Sequence, residues 1–242
     1  MAKMCGFVNP ITNAAEPRPR AGSKIFFPST ITYTCLAGHT TTGKVDGPKT
    51  FAVSCDTSGT LQGTKECKPV ECGPPLKVDH AKYATEALTH RQIVSYQCEK
   101  GFTVDGTATG DTTFTSRCLE DGTFTQVQQC TPITCGAAPT VAFATASQDA
   151  HTAGQEVTYT CAAGYTTTGE VAGKATFALQ CTDAGVYWSP AWTEAARKGC
   201  KAQDVGQGST AGTCAFPFVQ AGKVFETCAT GEGVFGAAWC RV

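Results

Sequence analysis

Apolar and polar residues alternate in short stretches that recur along the chain. In the first of them Ile31, Tyr33 and Cys35 lie on one face, with threonines between them on the other. A period of two predicts half-buried β-strands whose cysteines point inward. The same pattern recurs at Val94, Tyr96 and Cys98, at Val157, Tyr159 and Cys161, at Phe51, Val53 and Cys55, and at Phe177, Leu179 and Cys181. Helical periodicity is weak and turn residues are frequent, so the predicted fold class is all-β.

The landmarks of these stretches repeat with a fixed period. Cysteines recur every 63 residues, at positions 35, 98 and 161 and at positions 55, 118 and 181. Four positions after each cysteine of the second set there is a glycine, and two positions after that glycine there is a bulky residue. The pairs are Gly59 with Leu61, Gly122 with Phe124, and Gly185 with Tyr187. A turn glycine that directs the bulky residue over the disulfide accounts for this spacing. The period predicts tandem copies of one small module.

Each copy of about 60 residues buries too little surface to be stable without covalent support. The chain has fifteen cysteines, and four fall in each copy. This predicts a disulfide-rich protein of an oxidising compartment, although the spacing alone leaves three connectivities per module. No Cys-x-x-Cys pair occurs and the four histidines lack ligand spacing, so neither a metal nor another cofactor is predicted.

Charge and hydropathy exclude several classes of function. The net charge of −1 gives no general attraction to nucleic acid or to anionic membranes. No apolar run is long enough for a transmembrane segment. Residues 1–5 lack the apolar core of a signal peptide, although the cysteines indicate secretion. We therefore expect a fragment of a longer extracellular or cell-surface protein.

Several motifs of residues 5–200 resemble the sushi module, also called the complement control protein module. They are a Cys-Gly opening with a nearby proline, Tyr-x-Cys-x-x-Gly followed by a ring residue, Phe-x-x-x-Cys, and the Gly-x-bulky turn. Leu61 and Phe124 replace the usual tryptophan, and Trp188 stands one position late. The resemblance implies pairing of the first cysteine with the third and the second with the fourth. The implied pairs are Cys5–Cys55, Cys35–Cys67, Cys72–Cys118, Cys98–Cys130, Cys135–Cys181 and Cys161–Cys200.

The end of the chain resembles a different family. Cys214-Ala-Phe-Pro-Phe and Trp239-Cys240 are similar to a fibronectin type II module, a kringle-like fold, of which about two thirds is present. The resemblance implies a Cys214–Cys240 disulfide and a free thiol at Cys228. It also implies that Phe216, Phe225 and Trp239 line an apolar face for collagen, gelatin or choline headgroups. The alternative for these three aromatic residues is a small structural core.

The predicted domains follow from these repeats. They are sushi modules at 1–67, 68–130 and 131–200, a flexible linker at 201–213, and the partial fibronectin type II module at 214–242. Linkers of four residues with one proline leave little slack between modules, which predicts small elongated modules joined end to end.

No catalytic motif is found, so we expect no enzyme activity from this chain. The histidines are predicted to lie in solvated loops, and the repeated tyrosines and phenylalanines in the core. Arg18, Arg20 and Lys24 form a basic cluster, for which a solvated loop is favoured over a glycosaminoglycan site.

The predicted function is binding or adhesion through protein or glycan ligands. One alternative is the targeting region of an extracellular protease whose catalytic domain lies outside this chain. Another alternative is a structural spacer.

Overall fold

The computed structural model describes residues 3–147, 150–189, 199–204, 218–220 and 223–225. Within these residues every regular element is a β-strand, β1 to β24, and there is no helix, which confirms the all-β fold class. No helix among the described residues could cross a membrane. Cys214, Phe216, Cys228, Trp239 and Cys240 lie outside the described residues, and for Phe225 only the backbone is described.

The first repeat contains seven short strands in three small sheets. A hairpin pairs β1 with β2, a three-stranded antiparallel sheet has the order β3-β5-β6, and β4 pairs with β7 at the end of the repeat. The bounds are Met4–Phe7 for β1, Lys24–Phe26 for β2, Thr30–Thr34 for β3, His39–Thr40 for β4, Thr50–Cys55 for β5, Leu61–Gln62 for β6 and Lys68–Pro69 for β7.

The second and third repeats use the same plan. Their large sheets have the orders β13-β11-β9 and β16-β18-β20-β21, and their two-stranded sheets pair β8 with β10 and β15 with β17. The second repeat has β8 Glu71–Gly73, β9 Ala81–Lys82, β10 Leu88–Thr89, β11 Ile93–Cys98, β12 Phe102–Thr103, β13 Thr113–Arg117 and, paired with β12, β14 Thr131–Pro132. The third has β15 Thr134–Ala137, β16 Ala144–Ala146, β17 Ala150–Thr152, β18 Glu156–Cys161, β19 Tyr165–Thr166, β20 Thr176–Cys181, β21 Tyr187–Trp188 and, paired with β19, β22 Lys201–Asp204.

The core of each repeat is a stacked tyrosine–phenylalanine pair on adjacent strands. In the first repeat Tyr33 lies opposite Phe51, with ring centroids 5.3 Å apart and the planes at 10°. The Tyr33 hydroxyl donates a hydrogen bond to the Asn9 carbonyl oxygen at 2.8 Å, so its polar atom is satisfied. The equivalent pairs are Tyr96 with Phe114 and Tyr159 with Phe177. The prediction that these rings form the core is confirmed.

The turn glycine before the last cysteine of each repeat has the predicted role. Gly59 has φ +88°, a conformation that favours glycine, and the next strand places Leu61 directly opposite Cys55. Phe124 lies opposite Cys118 and Tyr187 opposite Cys181 in the other repeats. The bulky residue therefore covers the disulfide whether it is leucine, phenylalanine or tyrosine.

The chain divides into two compact units. One contains residues 1–98 and 112–130, and the other contains residues 99–111 and 131–242. The first unit therefore includes the linker between the first and second repeats, and the second unit includes the linker that precedes the third repeat.

Candidate binding site at the joint of the first two repeats

The linker between the first two repeats is bound to both of them through its backbone. Val70 N–H donates to the Gly38 carbonyl oxygen at 2.8 Å, and Glu71 N–H donates to the Gly43 carbonyl oxygen at 2.8 Å. On the other side, His90 N–H donates to the Val70 carbonyl oxygen at 2.7 Å. The Val70 side chain is only 2% exposed. Since both polar groups of Val70 are bonded and its side chain is buried, this linker is an ordered joint.

The loop that receives the linker is held by a buried threonine. The Thr40 hydroxyl donates to the Lys44 carbonyl oxygen at 2.9 Å and accepts from Gly43 N–H at 2.9 Å. These two bonds fix the turn that presents the Gly43 carbonyl to the linker. Thr166 makes the same pair of bonds in the third repeat, to Glu170 and from Gly169. The 63-residue period could have revealed this turn, because Thr40, Thr103 and Thr166 are spaced by it.

Two histidines meet at the joint, contrary to the prediction that all four lie in solvated loops. His39 is in strand β4 and only 8% exposed, while His90 packs on the backbone of Gly38. Their ring centroids are 5.7 Å apart with the planes at 85°. His39 is buried because it occupies the position after Gly38 that holds an aromatic residue in the other repeats.

Of the other two histidines, one is exposed and one is buried. His80 is exposed, as predicted. His151 lies in strand β17, is 3% exposed and contacts the Tyr187 ring, so the prediction is wrong for this residue. It pairs opposite Gly136 of strand β15, and its ring is buried. Neither ring nitrogen of His151 has a hydrogen-bond partner among the described residues.

A cavity of about 500 Å³ opens beside the histidine pair. Its wall includes Ala37 of the first repeat and, from the second, His90, Arg91, Arg117, Glu120 and Asp121. The second repeat positions both arginines. Arg91 has φ +73° and its N–H donates to the Cys118 carbonyl oxygen at 3.0 Å, while Arg117 ends strand β13 one residue before Cys118.

The cavity carries both signs of charge. Asp121 accepts hydrogen bonds from the hydroxyl and the backbone N–H of Thr123, at 2.6 and 3.0 Å, and these bonds lower the pKa of its carboxyl group. Asp121 is therefore ionised at neutral pH. In the described part of the chain neither Arg91 nor Arg117 forms an ion pair, so both guanidinium groups can bind an external acidic group.

Six disulfides lie within the described residues, and their pairs are those that the sushi resemblance implies. They join Cys5 to Cys55, Cys35 to Cys67, Cys72 to Cys118, Cys98 to Cys130, Cys135 to Cys181 and Cys161 to Cys200. Their Cα–Cα distances lie between 5.5 and 5.8 Å. The two disulfides of each repeat cross-link the two ends of its thin core.

Among the other predicted binding residues, only the basic cluster of the first repeat has its side chains described. Arg18, Arg20 and Lys24 are all exposed, which agrees with a solvated surface. Near the end of the chain, β23 at Phe218–Gln220 pairs antiparallel with β24 at Lys223–Phe225, and β23 pairs in parallel with β22. The predicted ligand face of Phe216, Phe225 and Trp239 falls outside the side chains that the structure describes.

Sequence comparison with known proteins agrees with this strand order and disulfide pattern. The sushi repeat family matches residues 72–135 and 130–200 of this chain. The chain is 30% identical, over 165 residues, to the rat (Rattus norvegicus) protein "Sushi, von Willebrand factor type A, EGF and pentraxin domain-containing protein 1", a match that covers 66% of this chain and 4% of that protein. The mouse (Mus musculus) protein of the same name is 29% identical over 150 residues, covering 61% of this chain and 4% of the relative.

A further relative is bovine (Bos taurus) complement factor H. It is 26% identical over 91 residues, covering 35% of this chain and 7% of that protein. The chain thus spans only about 4 to 7% of the length of these relatives. The matched repeats extend over more than half of the chain and carry the strand order and disulfides described above. The chain belongs to the sushi repeat family.

Proposed function

We propose that this chain is a non-catalytic binding region of an extracellular protein, and that its ligand contacts the joint of the first two repeats. Sushi repeats are extracellular protein-interaction modules, which supports this class of function. We further propose that residues 1–67, which share the strand plan and disulfide pattern of 68–130 and 131–200, are a third sushi module.

The observation that carries this proposal is the unpaired state of Arg91 and Arg117 in the joint cavity, within the described part of the chain. A guanidinium group presents several N–H donors in one plane and pairs well with carboxylate or sulfate oxygens. The adjacent Glu120 and Asp121 would reject a ligand of uniform negative charge. A protein that presents an acidic side chain beside a basic or neutral one fits this arrangement better than a heavily sulfated glycan.

The test compares two pairs of arginine substitutions in the full chain. Arg91→Ala with Arg117→Ala removes both guanidinium groups from the cavity, whereas Arg18→Ala with Arg20→Ala removes two exposed arginines from another surface. The unaltered protein is screened by surface plasmon resonance against a panel of extracellular proteins and against heparin. We expect a protein ligand whose affinity falls at least tenfold only with the cavity pair.

Equal losses from both pairs would show that general positive charge mediates binding. Binding to heparin alone, abolished by the Arg18 and Arg20 changes, would place the functional site on the basic cluster of the first repeat. A panel without any ligand would favour the spacer alternative.

For the end of the chain, we propose that the linker predicted at 201–213 is flexible only after strand β22 at Lys201–Asp204, and that 214–242 is a partial fibronectin type II module. The motifs that support this are Cys-x-Phe-Pro-Phe and Trp-Cys. A version completed to sixteen cysteines is expected to bind gelatin, and Trp239→Ala is expected to weaken that binding. The protease-targeting alternative predicts a catalytic domain elsewhere in the complete reading frame.

A further inference from the structure

We propose that the first repeat carries an open docking surface for a further sushi repeat that precedes it in the complete polypeptide. This surface, the entry face, consists of the outward side of β1 and β2 and the residue after β2. Its large apolar side chains are each 39–49% exposed, and they are Met4, Phe7, Phe26 and Phe27. The entry face is a different surface from the joint cavity and does not depend on the ligand of that cavity.

The register of the two strands gathers the apolar side chains of the entry face. Met4 lies opposite Phe26, Phe7 lies opposite Lys24, and Phe27 follows directly. Together the four apolar side chains expose roughly 300–400 Å², the size at which an exposed patch on a protein is often functional. At the equivalent positions the other repeats have smaller or more polar residues, which are Glu71, Pro74, Thr89 and His90 in the second repeat and Thr134, Ala137, Thr152 and Ala153 in the third. The patch is therefore particular to the first repeat and is not required by the fold of the module.

In the second repeat the equivalent face is covered by the first repeat. The ring of His90, which stands at the position of Phe27, packs on Gly38. The Val45 side chain lies against Gly122. Gly38 and Val45 both belong to the exit loop of the first repeat, the segment between its second and third cysteines that receives the linker. The face of this repeat is thus covered by a protein loop that supplies a glycine and a small apolar side chain.

The third repeat is covered in the same way by the exit loop of the second. Ala153 lies next to Gly101, and the Ala108 side chain lies against Gly185. Ile133 of the linker is only 4% exposed, and its N–H donates to the Gly101 carbonyl oxygen at 2.9 Å. Two repeats of this chain therefore use the same face as the receiving half of a joint.

The first repeat has the backbone of such a receiving half. Phe27 N–H donates to the Lys3 carbonyl oxygen at 2.9 Å, as the equivalent residues of the other repeats donate to Val70 and Ile133. Lys3 is exposed, whereas Val70 and Ile133 are buried. The Lys3 N–H makes no hydrogen bond among the described residues, while the N–H groups of Val70 and Ile133 donate to an exit-loop glycine. An exit loop placed on the entry face would supply the acceptor that the Lys3 N–H needs.

Charge favours an exit loop as the occupant. Lys3 and Lys24 are exposed at the entry face, and neither β1 nor β2 contains an acidic residue. The exit loops of the second and third repeats carry one acidic residue each and no basic one, namely Asp105 and Glu170. Such a loop brings a carboxylate to a basic surface and a glycine to the Phe27 ring. A lipid surface could contact the aromatic and basic side chains, but it offers no carbonyl in fixed register with the Lys3 N–H.

The test joins a copy of residues 72–130 directly to Met1 of the full chain. Residues 1–4 then have the length and position of the four-residue linkers in the other two joints. Hydrogen exchange followed by NMR should show at least tenfold more protection of the Lys3 amide than in the chain alone, because its N–H gains a glycine carbonyl as acceptor. A second fusion, with a copy of residues 1–67, supplies the exit loop of the first repeat and should give the same gain.

Two substitutions of exposed apolar residues separate the entry face from a general effect of fusion. Phe27→Asp in the fused chain should return the protection of the Lys3 amide to within twofold of its value in the chain alone. Val186→Asp adds the same charge at an exposed apolar residue of the third repeat and should leave the gain unchanged. No gain in either fusion, or a gain that survives Phe27→Asp, would overturn the proposal.

Other occupants of the entry face give different results. The chain with Cys228→Ser is used for these measurements, so that no thiol contributes. Self-association in analytical ultracentrifugation that Phe27→Asp abolishes would assign the face to a second copy of the chain. Binding to phosphatidylserine vesicles that Phe27→Asp abolishes would assign it to a lipid surface. Either result would overturn the proposal, as would a complete reading frame in which no sushi repeat precedes these residues.

Discussion

Replacement of Gly38 by alanine should disrupt the joint of the first two repeats. Gly38 has φ +74°, where an L-residue costs about 1–2 kcal/mol. A Cβ at this position would also overlap the His90 ring. Overpacking of a well-packed contact typically costs a further 1–3 kcal/mol or so. The expected loss for Gly38→Ala is therefore roughly 2–5 kcal/mol.

Gly101 provides the matched substitution in the joint before the third repeat, where Ile133 N–H donates to the Gly101 carbonyl oxygen at 2.9 Å. Its φ is +85°, so the backbone cost of Gly101→Ala is the same about 1–2 kcal/mol. An added Cβ would lie 3.3 Å from the Ala153 Cβ, which requires only a small adjustment. The difference between the two substitutions isolates the clash with the histidine ring.

The assay is native-state hydrogen exchange, since a chain of several small modules does not unfold in one transition. The free energy of opening is read at the Val70 amide for Gly38→Ala and at the Ile133 amide for Gly101→Ala. A double-mutant cycle adds His90→Ala, which removes the ring that the new methyl group meets. We expect Gly38→Ala in that background to cost no more than Gly101→Ala. Equal costs of the two glycine substitutions in the unaltered background would refute the packing of His90 on Gly38.

Three further predictions concern other parts of the molecule. Asp56 accepts hydrogen bonds from Ser58 and Thr60, which lower the pKa of its carboxyl group to about 2. Hydrogen exchange followed by NMR should therefore show protection of the Ser58 and Thr60 amides above about pH 4, and this protection should be lost as the pH falls through about 2. Protection that persists in Asp56→Ala would contradict this. Thr40→Val leaves the Lys44 carbonyl oxygen and the Gly43 N–H without the hydroxyl that bonds them, and should lower the opening free energy of the first repeat by about 1–3 kcal/mol in hydrogen-exchange measurements. An unchanged opening free energy would show that the turn does not need the hydroxyl. Isolated protein should form a reducible dimer through Cys228 on non-reducing gels, and Cys228→Ser should abolish it; a monomer without a titratable thiol would mean that Cys228 has a partner.

The strand faces and the turn residues could be predicted because they depend on local pattern. Tyr33 and Phe51 show the period of two that places them opposite each other, and Gly59 is at a fixed distance before Leu61. The sequence also carries a signal for the burial of His39, which the prediction of solvated loops does not use. His39 stands after Gly38, at the position where the other repeats have the aromatic residues Phe102 and Tyr165.

The joint itself could not be predicted, for two physical reasons. Its hydrogen bonds join backbone groups, such as Val70 N–H and the Gly38 carbonyl, which every residue except proline possesses. Its side-chain contacts join residues far apart in sequence, since His39 and His90 belong to different repeats. The positive φ of Arg91, which helps to place that arginine at the cavity, belongs to a turn that has glycine at the equivalent Gly154. None of these features leaves a periodic signal.

The two joints show how one backbone plan can carry different side chains. Val70 and Ile133 make equivalent hydrogen bonds within their own units, so the repeats retain the same connection wherever the linker occurs. The side chains that cover the connection are free to vary, because no backbone bond depends on them. One joint has His39 and His90 where the other has Phe102 and Ala153, so the side chains differ while the backbone bonds are the same. A tandem chain can therefore change the packing at one joint by side-chain substitution and keep the backbone connection that its other joints use.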